Sequence, residues 1–254
     1  ILFGFIFTFF SSFGQSYFLG LFNSSIREAL SITHGQFGSI YASATLCSSL
    51  LLIWVGKKID DVNIFKFAFF VTILLSFACF FFSRITSVFL LFIAIFLMRF
   101  SGQGMMSHTA STTISRYFTK TRGRALSISW FGLSSAEFIM PVLMVYLLTI
   151  IDWQNLWLIF SITVIIVLPI ASFLLIKNLN LDSRESSDEN IKEVEIKQWR
   201  RREVIKDYRF YIISSNMLAM PWIFTGFAVF QSFIQTSKGW GPYVIAQSFM
   251  SYSI

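Results

Sequence analysis

Charge is what this sequence has least of. Only 13% of its 254 residues are Asp, Glu, Lys or Arg, whereas a typical soluble domain has about a quarter. The chain is instead 55% hydrophobic and 19% aromatic, and its long apolar runs lack the polar face that a water-exposed helix needs. This composition excludes an ordinary soluble fold and predicts an integral membrane protein.

Cysteine and histidine, which supply disulfides and many metal sites, are also rare. Cys47 and Cys79 lie in separate apolar runs, so we interpret them as small buried hydrophobic side chains. The sequence contains no paired-histidine metal motif, no Gly-x-Ser-x-Gly pattern and no phosphate-binding loop. We therefore predict that the protein is not an enzyme and has no metal or cofactor.

Windows of about 20 apolar residues, the length that crosses a bilayer, predict seven complete membrane-spanning helices. An eighth span starts near Tyr243 and is cut at Ile254, so we expect a fragment whose C-terminal bundle is truncated. The fold class is therefore an all-α transmembrane helix bundle. The seven complete spans lie near residues 2–22, 36–56, 64–83, 88–110, 125–149, 154–176 and 210–235.

The connections between these spans are short, except for one strongly charged segment. We predict a six-helix bundle over 1–176, a cytoplasmic linker over 177–209 and the start of a second bundle over 210–254. The short loops alone place seven basic residues on one side of the membrane and three on the other. Because basic residues favour the cytoplasmic side, we expect a cytoplasmic N-terminus in a multi-pass protein of the plasma (inner) membrane. The same bias explains the net charge of +7, so we expect no nucleic-acid partner.

Two spans of the first bundle share a short pattern. The first span contains Ser12-Phe13-Gly14-Gln15, and the fourth contains Phe100-Ser101-Gly102-Gln103. The first and fourth spans correspond to each other when six helices are built as two inverted three-helix units, as in many transporters. The pattern therefore agrees with the two-bundle arrangement.

A single formal charge, Arg99, interrupts the apolar run between Ser87 and His108. Arginine at the centre of a spanning helix costs roughly 2.5–3.5 kcal/mol on insertion scales, so it indicates a cavity, a partner charge or a function. Glu137 lies in the next span, and each of the two residues is 19 positions from Phe118 in the connecting loop. Two antiparallel helices then place both side chains at one depth. We therefore predict that Arg99 and Glu137 form an ion pair near the membrane midplane.

Three interpretations of this pair remain open. Arg99 binds an anionic substrate, because its planar guanidinium matches a carboxylate; or Glu137 carries a proton whose uptake releases Arg99; or the two form a permanent structural pair. Pro221 and Gly226 are predicted to break the seventh span. Further candidates for a substrate-binding or coupling site are Gln15, Tyr17, His108, Asn216, Trp222 and Gln231.

The loop after the second span carries a family resemblance. It reads Gly56-Lys57-Lys58-Ile59-Asp60-Asp61-Val62-Asn63, which resembles a loop signature of the major facilitator superfamily of secondary transporters. Gly56 and Asp60 match the signature, while Asp61 and Asn63 replace a basic residue and a glycine. The resemblance implies that Gly56 and Asp60 belong to a gating loop that helps to close the inward face.

Two further segments strengthen the resemblance. Arg99, followed by Gly102 and Gly104, is similar to the arginine signature of the same superfamily, with the glycines about one place from the usual spacing. The basic loop over 116–125 resembles that of the branch which holds monocarboxylate and oxalate/formate carriers. The resemblance implies a carrier that works by alternating access between two helical bundles.

We therefore expect a monomer in the lipid bilayer that moves a small solute, an organic anion such as a monocarboxylate. The driving force would be a proton gradient in symport or a counter-anion gradient in antiport. The alternatives are an efflux carrier for hydrophobic compounds, a non-functional truncated product, or a seven-helix receptor or sensor. The receptor is disfavoured because the seventh span has no lysine for a retinal and a long loop follows the sixth span.

Overall fold

A computed structural model describes residues 1–177 and 201–253, without the side chain of Arg201, and contains helices but no β-strand in those ranges. The predicted all-α class is confirmed. The first range contains α1 (Leu2–Ser11), α2 (Ser16–Leu21), α3 (Asn23–Leu30), α4 (His34–Val55), α5 (Ile64–Phe82), α6 (Val88–Met98), α7 (Ser107–Tyr117), α8 (Arg122–Leu147) and α9 (Trp153–Ile176). The second contains α10 (Arg201–Lys206), α11 (Tyr208–Val229), α12 (Gln231–Lys238) and α13 (Pro242–Tyr252).

In these ranges, six helical stretches are long and apolar enough to cross a membrane. Each overlaps one of the predicted spans from the second to the seventh. The predicted linker falls largely on residues 178–200, outside the described residues, and α11 already begins at Tyr208. The six stretches are His34–Asp60, Ile64–Phe82, Val88–Tyr117, Arg122–Leu147, Trp153–Ile176 and Tyr208–Val229.

The first span is broken, which the sequence analysis did not predict. After α1, a 3-10 turn covers Ser12–Gly14, and Gln15 adopts an extended conformation (φ −79°, ψ 153°) before α2 begins. The fourth span is continuous from α6 to α7, but Arg99–Met106 is wound as a π-helix. Such segments often occur at functional sites, and this one packs directly against the break in the first span.

The core of the first bundle joins α1 to α8 and α5 to α9. Reciprocal hydrogen bonds link the second of these pairs: Ser76 Oγ donates to Ser161 O (3.0 Å), and Ser161 Oγ donates to Ser76 O (2.8 Å). Trp157 is fully buried among phenylalanine rings, with that of Phe82 at 4.4 Å between centroids. Much of the phenylalanine content therefore serves helix packing.

Two predictions about individual residues were wrong. Pro221 and Gly226 do not interrupt α11, because neighbouring groups let membrane helices tolerate proline. The helix ends instead at Phe230 (φ −97°, ψ 14°), whose N–H still bonds Gly226 O, and α12 follows at once. Cys79 is buried as predicted, whereas Cys47 is exposed.

Candidate functional site

The first and fourth spans cross at two glycines. A Cβ atom on Gly102 would lie 2.7 Å from Gly14 N and 2.8 Å from Gly14 Cα, closer than real Cβ atoms approach. Only glycine therefore fits at this crossing. Gly14 and Gly102 occupy equivalent places in the pattern shared by the two spans, so the two sequence repeats touch at their common motif.

Arg99 extends from this crossing into the break of the first span. Only 4% of its surface is exposed. Its Nη1 donates to Gly14 O at 2.9 Å and to Ser16 Oγ at 3.3 Å. The helix restarts with the bond from Leu19 N to Gln15 O. The guanidinium thus binds the last carbonyl before the break and the first hydroxyl after it.

Tyr41 of α4 covers the other side of Arg99. Its ring centroid lies 5.3 Å from Arg99 Cζ, a cation–π distance. Its hydroxyl donates to Ser16 Oγ at 2.9 Å, which connects it to the same network. Arg99 Nε is buried and has no hydrogen-bond partner. An unsatisfied buried donor is costly, so the arrangement has a free donor for an acceptor from a bound solute.

Glu137 does not form the predicted ion pair with Arg99. Among the described residues, the ion pair that forms is Arg116–Asp60. The equal depth of Arg99 and Glu137 was inferred from two spans that are consecutive in sequence. The first span, however, packs against both α8 and the π-helical segment, and Arg99 is bound to that span through Gly14 O and Ser16 Oγ. A permanent structural pair is therefore excluded in this conformation.

Glu137 is instead associated with the first span. It is half-buried on α8, which packs against α1 and α2, and Tyr17 of α2 is fully buried. The hydroxyls of Tyr17 and Ser12 are both buried and interact with each other. Gln15, another predicted site residue, forms the break itself and has a half-buried side chain. The break therefore has buried polar groups around it, with Arg99 bound on either side of Gln15.

The predicted gating loop, Gly56–Asp60, is a 3-10 turn held on α7. Arg116 Nη2 pairs with Asp60 Oδ1, and Arg116 Nη1 donates to Ile59 O at 3.4 Å. His108 Nε2 lies 2.9 Å from Gly56 O. His108 was predicted for the cavity wall, but it contacts this loop. Sequence reasoning missed Arg116 as the partner of Asp60, although both were assigned to the same side of the membrane.

Two predicted residues, Tyr17 and Gln231, meet where α11 and α12 contact α2. Gln231 Nε2 donates to Tyr17 O at 3.0 Å. Nearby, Asn23 Nδ2 donates to Val229 O at 2.7 Å. These contacts lie near the His34 end of α4, whereas the gating loop follows the other end of that helix. The bundle therefore has polar contacts at both ends, with Arg99 between them.

Asn216 and Trp222 are not brought to Arg99. Asn216 Nδ2 bonds Ile212 O of its own helix at 3.1 Å, and Trp222 is 81% exposed. Trp222 and Tyr41 line a cleft of about 520 Å³ between α11 and α4. Sequence reasoning missed Tyr41, Ser16 and Asn23, because tyrosine, serine and asparagine are unremarkable in a membrane span until their neighbours are known.

Comparison with known proteins agrees with this architecture. Residues 4–254 match the family model of the Major Facilitator Superfamily. None of the curated proteins compared with the chain matches it. A multi-pass helical bundle without strands in its described residues is what this family requires. Because the match covers nearly the whole chain, this protein belongs to the major facilitator superfamily, whose members are secondary transporters of small solutes.

Proposed function

We propose that this carrier transports a small organic anion, such as a monocarboxylate, and that Arg99 binds its carboxylate. The observation that carries the proposal is the buried guanidinium whose Nε has no partner. Its hydrogen-bond acceptors, Gly14 O and Ser16 Oγ, are neutral oxygens, and Tyr41, whose ring lies over the guanidinium, is a neutral side chain. These neutral partners do not compensate the positive charge of the guanidinium. A bound anion would therefore stabilise that charge strongly inside the membrane.

Proton coupling through Glu137 is the second part of the proposal. A carboxylate inside a membrane bundle is stabilised by a nearby cation or neutralised by a proton. No ion pair to Glu137 is formed among the described residues. This supports symport of a proton with the anion. Anion exchange remains the alternative coupling. The carrier would lie in the plasma (inner) membrane, as a monomer with a cytoplasmic N-terminus.

The anion site can be tested by uptake of labelled monocarboxylates into proteoliposomes containing the product of the complete gene. Loss of charge-assisted hydrogen bonds, worth about 1.5–3 kcal/mol, should lower kcat/KM of Arg99→Gln by about one to two orders of magnitude. Arg99→Lys keeps the charge but loses the planar fork, so it should raise KM. The matched control is Arg84→Gln, because Arg84 is exposed. Parental uptake by Arg99→Gln would refute the proposal.

Glu137→Gln tests the coupling separately. It should abolish the stimulation of uptake by an inward proton gradient while leaving exchange of labelled for unlabelled anion intact, since exchange needs no net proton movement. Glu28→Gln is the control, because Glu28 is exposed on α3. If Glu137→Gln responds to the gradient like the parent, the coupling proposal is wrong.

Efflux of hydrophobic compounds is a second candidate function. The cleft between α4 and α11 supports it, since Leu218, Pro221 and Trp222 give it a largely apolar wall. Energised extrusion of a lipophilic dye that persists in Arg99→Gln and is lost in Trp222→Ala would favour this function over anion transport.

A further inference from the structure

We propose that Asn23 and Gln231 form a gate that closes the solute pathway at the end opposite the Gly56–Asp60 loop. We call the two contacts, Asn23 to Val229 O and Gln231 to Tyr17 O, the amide clasp. We also propose that a small polar cavity beside the clasp is the vestibule outside this gate. The inference rests on the proposed transport function but concerns different residues from the anion site.

The amide clasp joins the two bundles by side chains that are almost fully buried. Asn23 is 0% exposed and Gln231 is 3% exposed. Each donates to a backbone carbonyl more than 200 residues away in sequence, at 2.7 Å and 3.0 Å. Arg27 Nε donates to Asn23 Oδ1 at 2.7 Å, which orients the Asn23 amide towards Val229. The clasp is therefore a specific contact between the first and the seventh spans.

The backbone on both sides is adapted to this contact. α11 ends at Val229, so the break at Phe230 makes the Val229 carbonyl available to Asn23. Gly20 of the first span packs directly against the seventh span. A Cβ atom there would collide with the Ala228 carbonyl, and its distance from Ala228 C would be 3.0 Å. The clasp consists of two neutral amide–carbonyl bonds, which are individually weak enough to break and reform.

A cavity of about 230 Å³ lies against the clasp. Its polar lining includes Ser24, Gln231, Ser232 and Gln235, and the described residues that line it are uncharged. Gln231 Oε1 and Ser232 Oγ are buried without a partner, which indicates water in the cavity. At ~30 Å³ per water molecule, it holds several. The Gln231 amide thus donates from Nε2 to Tyr17 O in the clasp. Its Oε1 is available to water in the cavity.

The clasp and the anion site are held by neighbouring residues of α2. Tyr17, whose carbonyl accepts from Gln231, is adjacent in sequence to Ser16, whose hydroxyl accepts from Arg99. Breaking the bond at Tyr17 therefore opens a path from the vestibule to the guanidinium.

Cysteine accessibility tests this proposal without any substrate. In the full carrier with Cys47→Ser and Cys79→Ala, Ser24→Cys reports on the vestibule and Gln15→Cys on the interior. A membrane-impermeant thiol reagent added outside right-side-out vesicles should label Ser24→Cys rapidly and Gln15→Cys slowly. Adding Asn23→Ala and Gln231→Ala should accelerate labelling of Gln15→Cys about tenfold, because two closing bonds are lost. The rate at Ser24→Cys should stay unchanged.

Two further variants keep the test falsifiable. Gly20→Ala should reproduce the acceleration by forcing the spans apart, even if the double variant folds poorly. Gln235→Ala, one helical turn beyond Gln231, is the matched control and should leave the rate at Gln15→Cys at the parental value. Unchanged labelling of Gln15→Cys in both clasp variants, or labelling from the opposite side alone, would overturn the gate. The labelling assay contains no substrate, so its outcome does not depend on whether Arg99 binds an anion, and failure of the anion proposal is distinguishable.

Discussion

Adding one methyl group at Gly14 should force the first and fourth spans apart. The new Cβ would collide with Gln103 N and Met98 O and would lie 2.8 Å from Gly102 Cα. Overpacking costs typically about 1–3 kcal/mol. Here the upper end applies, because the atoms in the way belong to the backbone and cannot rotate aside. We therefore expect Gly14→Ala to lower the free energy of unfolding by about 3 kcal/mol.

Gly102→Ala should force the same two spans apart from the other side of the crossing. Its Cβ would lie 2.7 Å from Gly14 N and 2.8 Å from Gly14 Cα. The spans need to separate only once to admit both methyl groups. The double variant should therefore cost clearly less than the sum of the single variants, as for residues in contact. Additive losses would mean that the two glycines do not share one contact.

These effects can be measured as changes in melting temperature in detergent. The melting temperature is the temperature at which half of the monodisperse protein is lost. For a chain of this size about 3 kcal/mol corresponds to roughly 6–12 °C. Gly226→Ala is the matched control, because it lies in α11 and a Cβ there meets nothing within 4 Å. If Gly14→Ala melted at the parental temperature, or if Gly226→Ala lost as much, the crossing would not have the geometry described.

Three other predictions concern hydrogen bonds and charges. The Arg116–Asp60 pair is partly exposed, at 32% and 58% of each side chain, so a double-mutant cycle on melting temperature should give about 0.2–1 kcal/mol of coupling that falls with salt. Ser76→Ala and Ser161→Ala should each destabilise the α5–α9 contact by about 0.6 kcal/mol and at most about 1.7, again read from melting. Tyr41→Phe should keep the cation–π contact with the arginine and leave KM for the anion near parental, whereas Tyr41→Leu should change it by about 2- to 30-fold, equivalent to roughly 0.5–2 kcal/mol.

The sequence was sufficient to predict the membrane helices, because hydrophobic length is a local property. Six predicted spans correspond to helices that can cross a membrane. The break at Gln15 was not predictable in the same way. No proline lies near it, and the extended residue depends on Arg99, which comes from a helix more than 80 residues later and binds Gly14 O. Tertiary contacts therefore determine the shape of the first span.

The position of Glu137 illustrates a second limit. Counting residues from Phe118 gives the distance of a side chain from the turn, but not its rotation about the helix axis or what lies between two helices. Arg99 and Glu137 were matched in depth, yet Arg99 bonds the first span and forms no ion pair with Glu137. Asp60 was identified through family resemblance, yet its partner Arg116 became clear only when the loop was seen to lie on α7.

The break at Gln15 allows the two parts of the first span to move differently. α1 is packed along α8 on its own side of the break. Beyond the break, α2 contacts α11 and α12, and Tyr17 at its start takes part in the amide clasp. When the clasp opens, α2 can pivot at Gln15 while α1 stays in place, because extended backbone between two helices is where a hinge acts with least loss of hydrogen bonds. We expect that pivot to move Ser16 away from Arg99 and to free a second guanidinium donor beside the unpartnered Nε. Gate opening and anion binding are therefore expected to favour each other, as reciprocal coupling between two sites requires.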